Sequence, residues 1–220
     1  MNENRPAEKA SSPTPEVAGR TLRFLALGDS YTIGESVALQ EGWPARLVSR
    51  LQSEGVPVAA PEIIAQTGWT TADLAAALSQ ADPRGPYELV SLLIGVNNQY
   101  RGRDLGEYRV EFAALLHNAI RLAGNHPGRV LVFSIPDWGV TPFARGRASA
   151  QIGSEIDAFN AANREESALR GARYIDVTAI SRQALIDPTL VAEDGLHPSG
   201  SMYAAWVALA LPDARAALGR

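Results

Sequence analysis

Phe24-Leu25-Ala26-Leu27-Gly28-Asp29-Ser30-Tyr31-Thr32 passes from an unbroken apolar run into a small, polar turn. A strand with one wet face alternates polar and apolar side chains, so a short run without alternation reads as a parallel strand buried on both faces. Four more runs of this kind follow, at Ile63 to Ala65, Leu89 to Ile94, Val130 to Ile135 and Tyr174 to Val177. Helical stripes separate them: Trp43, Leu47 and Leu51 behind Pro44, then Leu74 and Leu78 behind the capping candidates Thr70 and Thr71. Tyr108, Phe112, Leu115, Leu116 and Ala119 make a third stripe, Ile152, Ile156 and Phe159 a fourth, and Met202, Trp206 and Leu209 the last. Strand and helix alternate throughout, which predicts an α/β fold with an open parallel sheet and helices on both faces. Ligands in such sheets sit beyond the carboxyl ends of the strands.

The rest of the composition narrows the function. With 220 residues, 46% of them hydrophobic and 20% charged, the chain reads as a single domain over 21–220. It buries roughly 70% of its unfolded surface and needs no staple. It has no Cys and three His (His117, His126, His197), which excludes a thiol nucleophile, an iron–sulfur site and a thiolate zinc site and argues against a structural zinc. The formal charge of -4 comes from intermixed signs, so nucleic acid is a poor partner. No apolar run approaches the roughly 20 residues that span a bilayer, so integral membrane association is not expected. Residues 1–20, with Glu3, Glu8, Lys9, Ser11, Ser12 and three prolines, read as a disordered tail without a signal peptide's apolar region. A cytoplasmic location is the default expectation; an exported mature form would read the same.

The first strand run delivers Ser30 into the first βα turn. A hydroxyl needs a base within hydrogen-bond reach and a group that orients the base. Asp194-Gly195-Leu196-His197 offers both, because one turn brings the carboxylate against the imidazole three residues on, with Gly195 letting the chain bend. Donors for a developing oxyanion are available at two further strand ends. Gly68 in Gln66-Thr67-Gly68-Trp69 offers an unobstructed N–H, and Asn97 in Gly95-Val96-Asn97-Asn98 a carboxamide; the Ser30 N–H would be the third. Singly, each of these is an ordinary cap or turn residue. Their joint order along the strand ends is what carries the argument. Asp29 reads as structural, fixing the turn through backbone bonds.

These four stretches together resemble the SGNH hydrolases, the GDSL-type esterase/lipase family, over nearly the whole chain after the tail. Gly28-Asp29-Ser30-Tyr31 is similar to the block that carries the nucleophile, and Gly68 falls in the second block. Gly95-Val96-Asn97-Asn98 is similar to the third, and Asp194-Gly195-Leu196-His197 to the block with the rest of the triad. Tyr31 stands where Leu is usual, and Asn98 replaces an Asp that commonly follows the oxyanion Asn. The resemblance implies a three-layer αβα sandwich, flavodoxin-like, around a five-stranded parallel sheet. It also implies a catalytic triad of Ser30, Asp194 and His197, an oxyanion hole of Ser30, Gly68 and Asn97, and no cofactor.

On this reading the substrate is a small-molecule carboxylic ester. Trp69, Tyr100, Trp138 and Phe143 are the candidate pocket residues, and their bulk favours short acyl chains. A lysophospholipase or acyl thioesterase of the same family stays open. From another class, the Gly28 to Gly34 turn would cradle a phosphate in a non-catalytic binding module. Asp29 and Glu35 oppose that, no Lys or Arg supports it, and the Asp194/His197 pair goes unexplained. A catalytically dead homologue kept for protein contacts is a third possibility.

Overall fold

The computed structural model describes residues 20–220; the expected tail lies outside them except for its last residue. Five strands, β1 (Phe24–Gly28), β2 (Glu62–Ala65), β3 (Leu89–Leu93), β4 (Val130–Phe133) and β5 (Arg173–Ile175), form one sheet in the order β2-β1-β3-β4-β5. Every pairing is parallel. The helices are α1 (Ser30–Ile33), α2 (Trp43–Ser53), α3 (Thr71–Ala81), α4 (Val96–Tyr100), α5 (Leu105–Leu122), α6 (Ser149–Arg170), α7 (Thr178–Ser181) and α8 (Gly200–Ala217). Helices α2 and α8 pack together on one face, while α3, α5 and α6 form a contiguous layer on the other. This is the expected αβα sandwich. All five strand runs are strands, shifted by no more than two residues at their ends.

Burial follows position in the sheet. β1, β3 and β4 are wholly buried, whereas the edge strands β2 and β5 are only partly so, since each has a neighbour on one side alone. The aromatic residues Trp43, Phe112 and Trp206 are core anchors, all at most 1% exposed, and Trp43 lies 4.3 Å from Phe133 between ring centroids. The last stripe needs correcting. Leu209 is 43% exposed, and the apolar face of α8 runs instead through Met202, Tyr203, Trp206, Val207, Ala210 and Ala214. The buried face centres between Trp206 and Val207, and Leu209, about 60° back from Trp206, falls past its edge.

Local chemistry starts the helices where the site needs them. Thr70 caps α3 in a reciprocal box with Asp73. Pro44 sits in the first turn of α2, and Ser199 accepts the Met202 N–H at the head of α8. Asp29 caps α1, its Oδ1 accepting the Tyr31 N–H at 3.1 Å while its Oδ2 is buried without a partner. Burial outweighs the backbone hydrogen bonds and pushes the Asp29 carboxyl up to about 7.

That carboxyl should leave a signature in stability. Between an unfolded value of about 3.9 and the folded value, the native state holds a proton that the unfolded chain has released. Stability therefore falls as pH rises through that window, by an amount on the order of a few kcal/mol. Asp29→Asn keeps the cap acceptor and removes the titration. Calorimetric Tm should fall more steeply from pH 4 to 8 in the wild type than in the variant; parallel curves would show that Asp29 ionises freely.

Candidate active site

Right-handed crossovers bring the carboxyl ends of all five strands to one edge, and a cavity of about 180 Å³ opens there. Ser30, Gly68, Asn97 and His197 line it together with Tyr100, Trp138 and Phe143. Tyr31, Thr67, Val96 and Leu196 complete the wall. Residues from β1, β2, β3 and β4 ends and from the loop before α8 thus meet at one point.

Ser30 occupies the first position of α1, directly after β1, and is 5% exposed. His197 is 7% exposed, and its Nδ1 lies 2.5 Å from Asp194 Oδ2. Asp194 Oδ1 accepts the backbone N–H groups of Leu196 (2.9 Å) and His197 (3.0 Å), so one carboxylate shapes the turn and holds the ring that ends it. Gly195, at φ 73°, supplies the left-handed step that the turn requires. Ser36 Oγ donates a further hydrogen bond to Asp194 Oδ2 at 2.8 Å. Partial burial works to raise the Asp194 carboxyl, but the hydrogen bonds from His197, Leu196 and Ser36 outweigh it and hold it well below the usual carboxylate range. The group is a fixed anion at any working pH.

Asn97 Nδ2 donates to the Trp69 carbonyl at 2.9 Å, which spends one N–H and aims the other. Gly68 stands at φ 84°, a conformation that a side chain would strain, with its carbonyl held at 2.6 Å by Arg101. The Ser30 and Gly68 amides donate to no backbone acceptor among the described residues.

Of the four candidate pocket aromatics, Tyr100, Trp138 and Phe143 line the cavity and Trp69 does not. The Trp69 side chain packs half-buried against the core, and its contribution here is its backbone carbonyl. The other three cluster with centroids 5.3 to 6.3 Å apart. Trp138 Nε1 donates to Gln99 Oε1 at 2.8 Å, which ties the wall to α4, the helix that carries Asn97. Arg147 lies 5.0 to 5.4 Å from all three ring centroids.

Three of these contributors escaped sequence reasoning. Ser36 lies 158 residues from Asp194, in a left-handed conformation (φ 65°) that nothing in its neighbours announces. Tyr31 packs edge-on against the His197 ring, centroids 5.5 Å apart. Arg147 sits in a loop with no pattern to mark it. Asn98, which stands where Asp commonly follows the oxyanion Asn, is 2% exposed and bonds Thr71 twice, accepting its N–H at 3.0 Å and donating to its Oγ1 at 2.6 Å. It fastens α4 to the head of α3, while the Trp69 carbonyl holds Asn97.

The fold and this constellation together define a hydrolase class built on a parallel αβα sandwich. The model of the GDSL-like Lipase/Acylhydrolase family matches residues 26–205, so the chain belongs to that family and is a carboxylic ester hydrolase. No curated protein matches the chain. Among solved structures it is similar to TesA, with 21% identity and a TM-score of 0.70 over 89% of this chain and 99% of that one. It is similar to the lipase/acylhydrolase from Enterococcus faecalis, with 20% identity and a TM-score of 0.68 over 89% and 96% of the two chains. The acetylxylan esterase Axe2 from Geobacillus stearothermophilus gives 20% identity and 0.67 over 92% and 96%. At these identities the likeness speaks to the fold. Among the described residues no helix is long and apolar enough to cross a membrane, and no three His, Asp or Glu side chains group to hold a metal ion.

Asn98→Ala would leave the buried Thr71 N–H without its acceptor and remove a donor from the Thr71 hydroxyl, which keeps its bond to Glu111. The expected cost is about 1–3 kcal/mol, seen as a lower urea midpoint with an unchanged slope. A midpoint equal to the wild type's would mean that water replaces the amide at no cost.

Proposed function

We propose that this chain is a serine esterase that acts through a covalent acyl-enzyme and prefers short acyl chains. The observation that carries the reading is the meeting of Ser30 and His197 in one cavity, with the far side of the imidazole held by Asp194. Because Nδ1 faces the carboxylate, Nε2 is the atom left to take the Ser30 proton. Ser30 Oγ then adds to the ester carbonyl, and the negative charge develops on the carbonyl oxygen. The Ser30 and Gly68 amides and the free N–H of Asn97 are the donors for it. Collapse of the tetrahedral adduct breaks the bond to the alkoxy oxygen, which leaves as the alcohol with the proton from His197. Water, deprotonated by the same imidazole, cleaves the acyl-enzyme and restores Ser30.

Asp194 is suited to its part because it stays ionised and is gripped on both oxygens. It stabilises the imidazolium as it forms and keeps the ring from rotating. For acyl length, a cavity of about 180 Å³ is below the roughly 300–1,000 Å³ of pockets that take drug-sized ligands. Tyr100, Trp138 and Phe143 wall the cavity, with Trp138 fixed by Gln99, and narrow the room for a long tail.

Hydrolysis of p-nitrophenyl esters from acetate to palmitate tests both parts. Ser30→Ala and His197→Ala should each remove nearly all turnover, since nucleophile and base act as one unit. Asn97→Ala should lower kcat by about 10²- to 10³-fold with little change in KM. In the wild type kcat/KM should fall beyond butyrate. Wild-type turnover in Ser30→Ala would end the reading, and a steady climb to decanoate would end the short-chain part.

A further inference from the structure

Beside the cavity that holds Ser30 and His197 lies a second, smaller space of about 10 Å³, large enough for about one water molecule. Its floor and sides are Pro136, Asp137, Thr141, Ser181, Pro198 and Met202. Three residues face both spaces: Tyr31, Trp138 and Leu196. They form a diaphragm between them. Trp138 is fixed by its hydrogen bond to Gln99, and Leu196 by its place inside the Asp194 turn. Tyr31 stands on the short helix α1 that begins at Ser30.

We infer that Tyr31 is the specificity-determining residue that closes the acyl pocket and sets its length. The inference rests on the esterase reading above, with the acyl group lodged in this cavity. The ring is 3% exposed and wedged between His197 and Trp206, at centroid distances of 5.5 and 6.4 Å. It is therefore held in place from two sides and does not swing aside for a longer chain. Burial also keeps the phenol protonated, so it presents no charge to an acyl tail. Beyond it, the polar groups of the second space are already engaged. The Asp137 carboxylate pairs with Arg182, Ser181 Oγ donates to the Thr178 carbonyl, and Thr141 Oγ1 donates to the Trp138 carbonyl. Methylenes entering that space would displace no bonded partner.

Replacing the ring with a shorter side chain joins the two spaces into one deeper pocket. Each methylene newly buried in it raises kcat/KM by about fourfold relative to the chain without it. The experiment compares p-nitrophenyl acetate, butyrate, hexanoate and octanoate in the wild type, Tyr31→Leu and Tyr31→Met. The readout is the hexanoate-to-butyrate ratio of kcat/KM within each protein. A general loss of rate from relaxing the His197 ring cancels in that ratio, so a drop in overall activity does not mask the result. The ratio should rise by about tenfold or more in at least one variant. Ratios within twofold of the wild type's in both variants overturn the inference while leaving the esterase reading intact. A wild type that hydrolyses none of the four esters overturns the esterase reading, and the role of Tyr31 with it.

Discussion

Everything at the site depends on the parallel direction of the five strands. A parallel sheet with right-handed crossovers puts every carboxyl end on one edge, so side chains far apart in sequence reach one cavity without a long loop. Ser30 leaves β1, Gly68 follows β2, Asn97 follows β3 and Trp138 follows β4, each within a few residues of its strand. The buried central strands make that edge rigid. What the loops add is orientation, and they add it with hydrogen bonds that mostly involve the backbone.

Two such arrangements do most of the aiming. Asp194 accepts two backbone N–H groups on one oxygen and the imidazole and Ser36 on the other, so the anion cannot turn without breaking four hydrogen bonds. Asn97 is held by the carbonyl of Trp69, the residue after Gly68, so the two proposed oxyanion donors move as one piece. Arg101 closes the same unit by gripping the Gly68 carbonyl and approaching Asp73 of the α3 cap. Preorganised donors of this kind stabilise developing charge without the reorganisation that water would require.

The fold was legible because its signals are local. Unbroken apolar runs marked the strands, caps and periodic stripes marked the helices, and the stripe that failed did so at Leu209, which falls past the edge of the buried face. The proposed site residues were legible because each sits at a strand end or in a tight Asp-Gly turn. What stayed hidden depends on distant contacts. Nothing near Trp69 shows that its ring turns to the core and leaves only its carbonyl at the site. Nothing near Ser36 or Tyr31 shows that one reaches Asp194 and the other lines two cavities. Asn98 is an intermediate case: its position beside Asn97 was plain, but its two bonds to Thr71 follow from the packing of α4 on α3.

The central claim is that Ser30 Oγ is the atom that becomes acylated. It is tested most directly by treating the protein with a p-nitrophenyl alkylphosphonate and mapping the adduct by peptide mass spectrometry. The account predicts release of one equivalent of p-nitrophenol per chain, a single adduct on the peptide that contains Ser30, and loss of esterase activity in proportion to labelling. An adduct on another residue, or full activity after Ser30 is labelled, would contradict it.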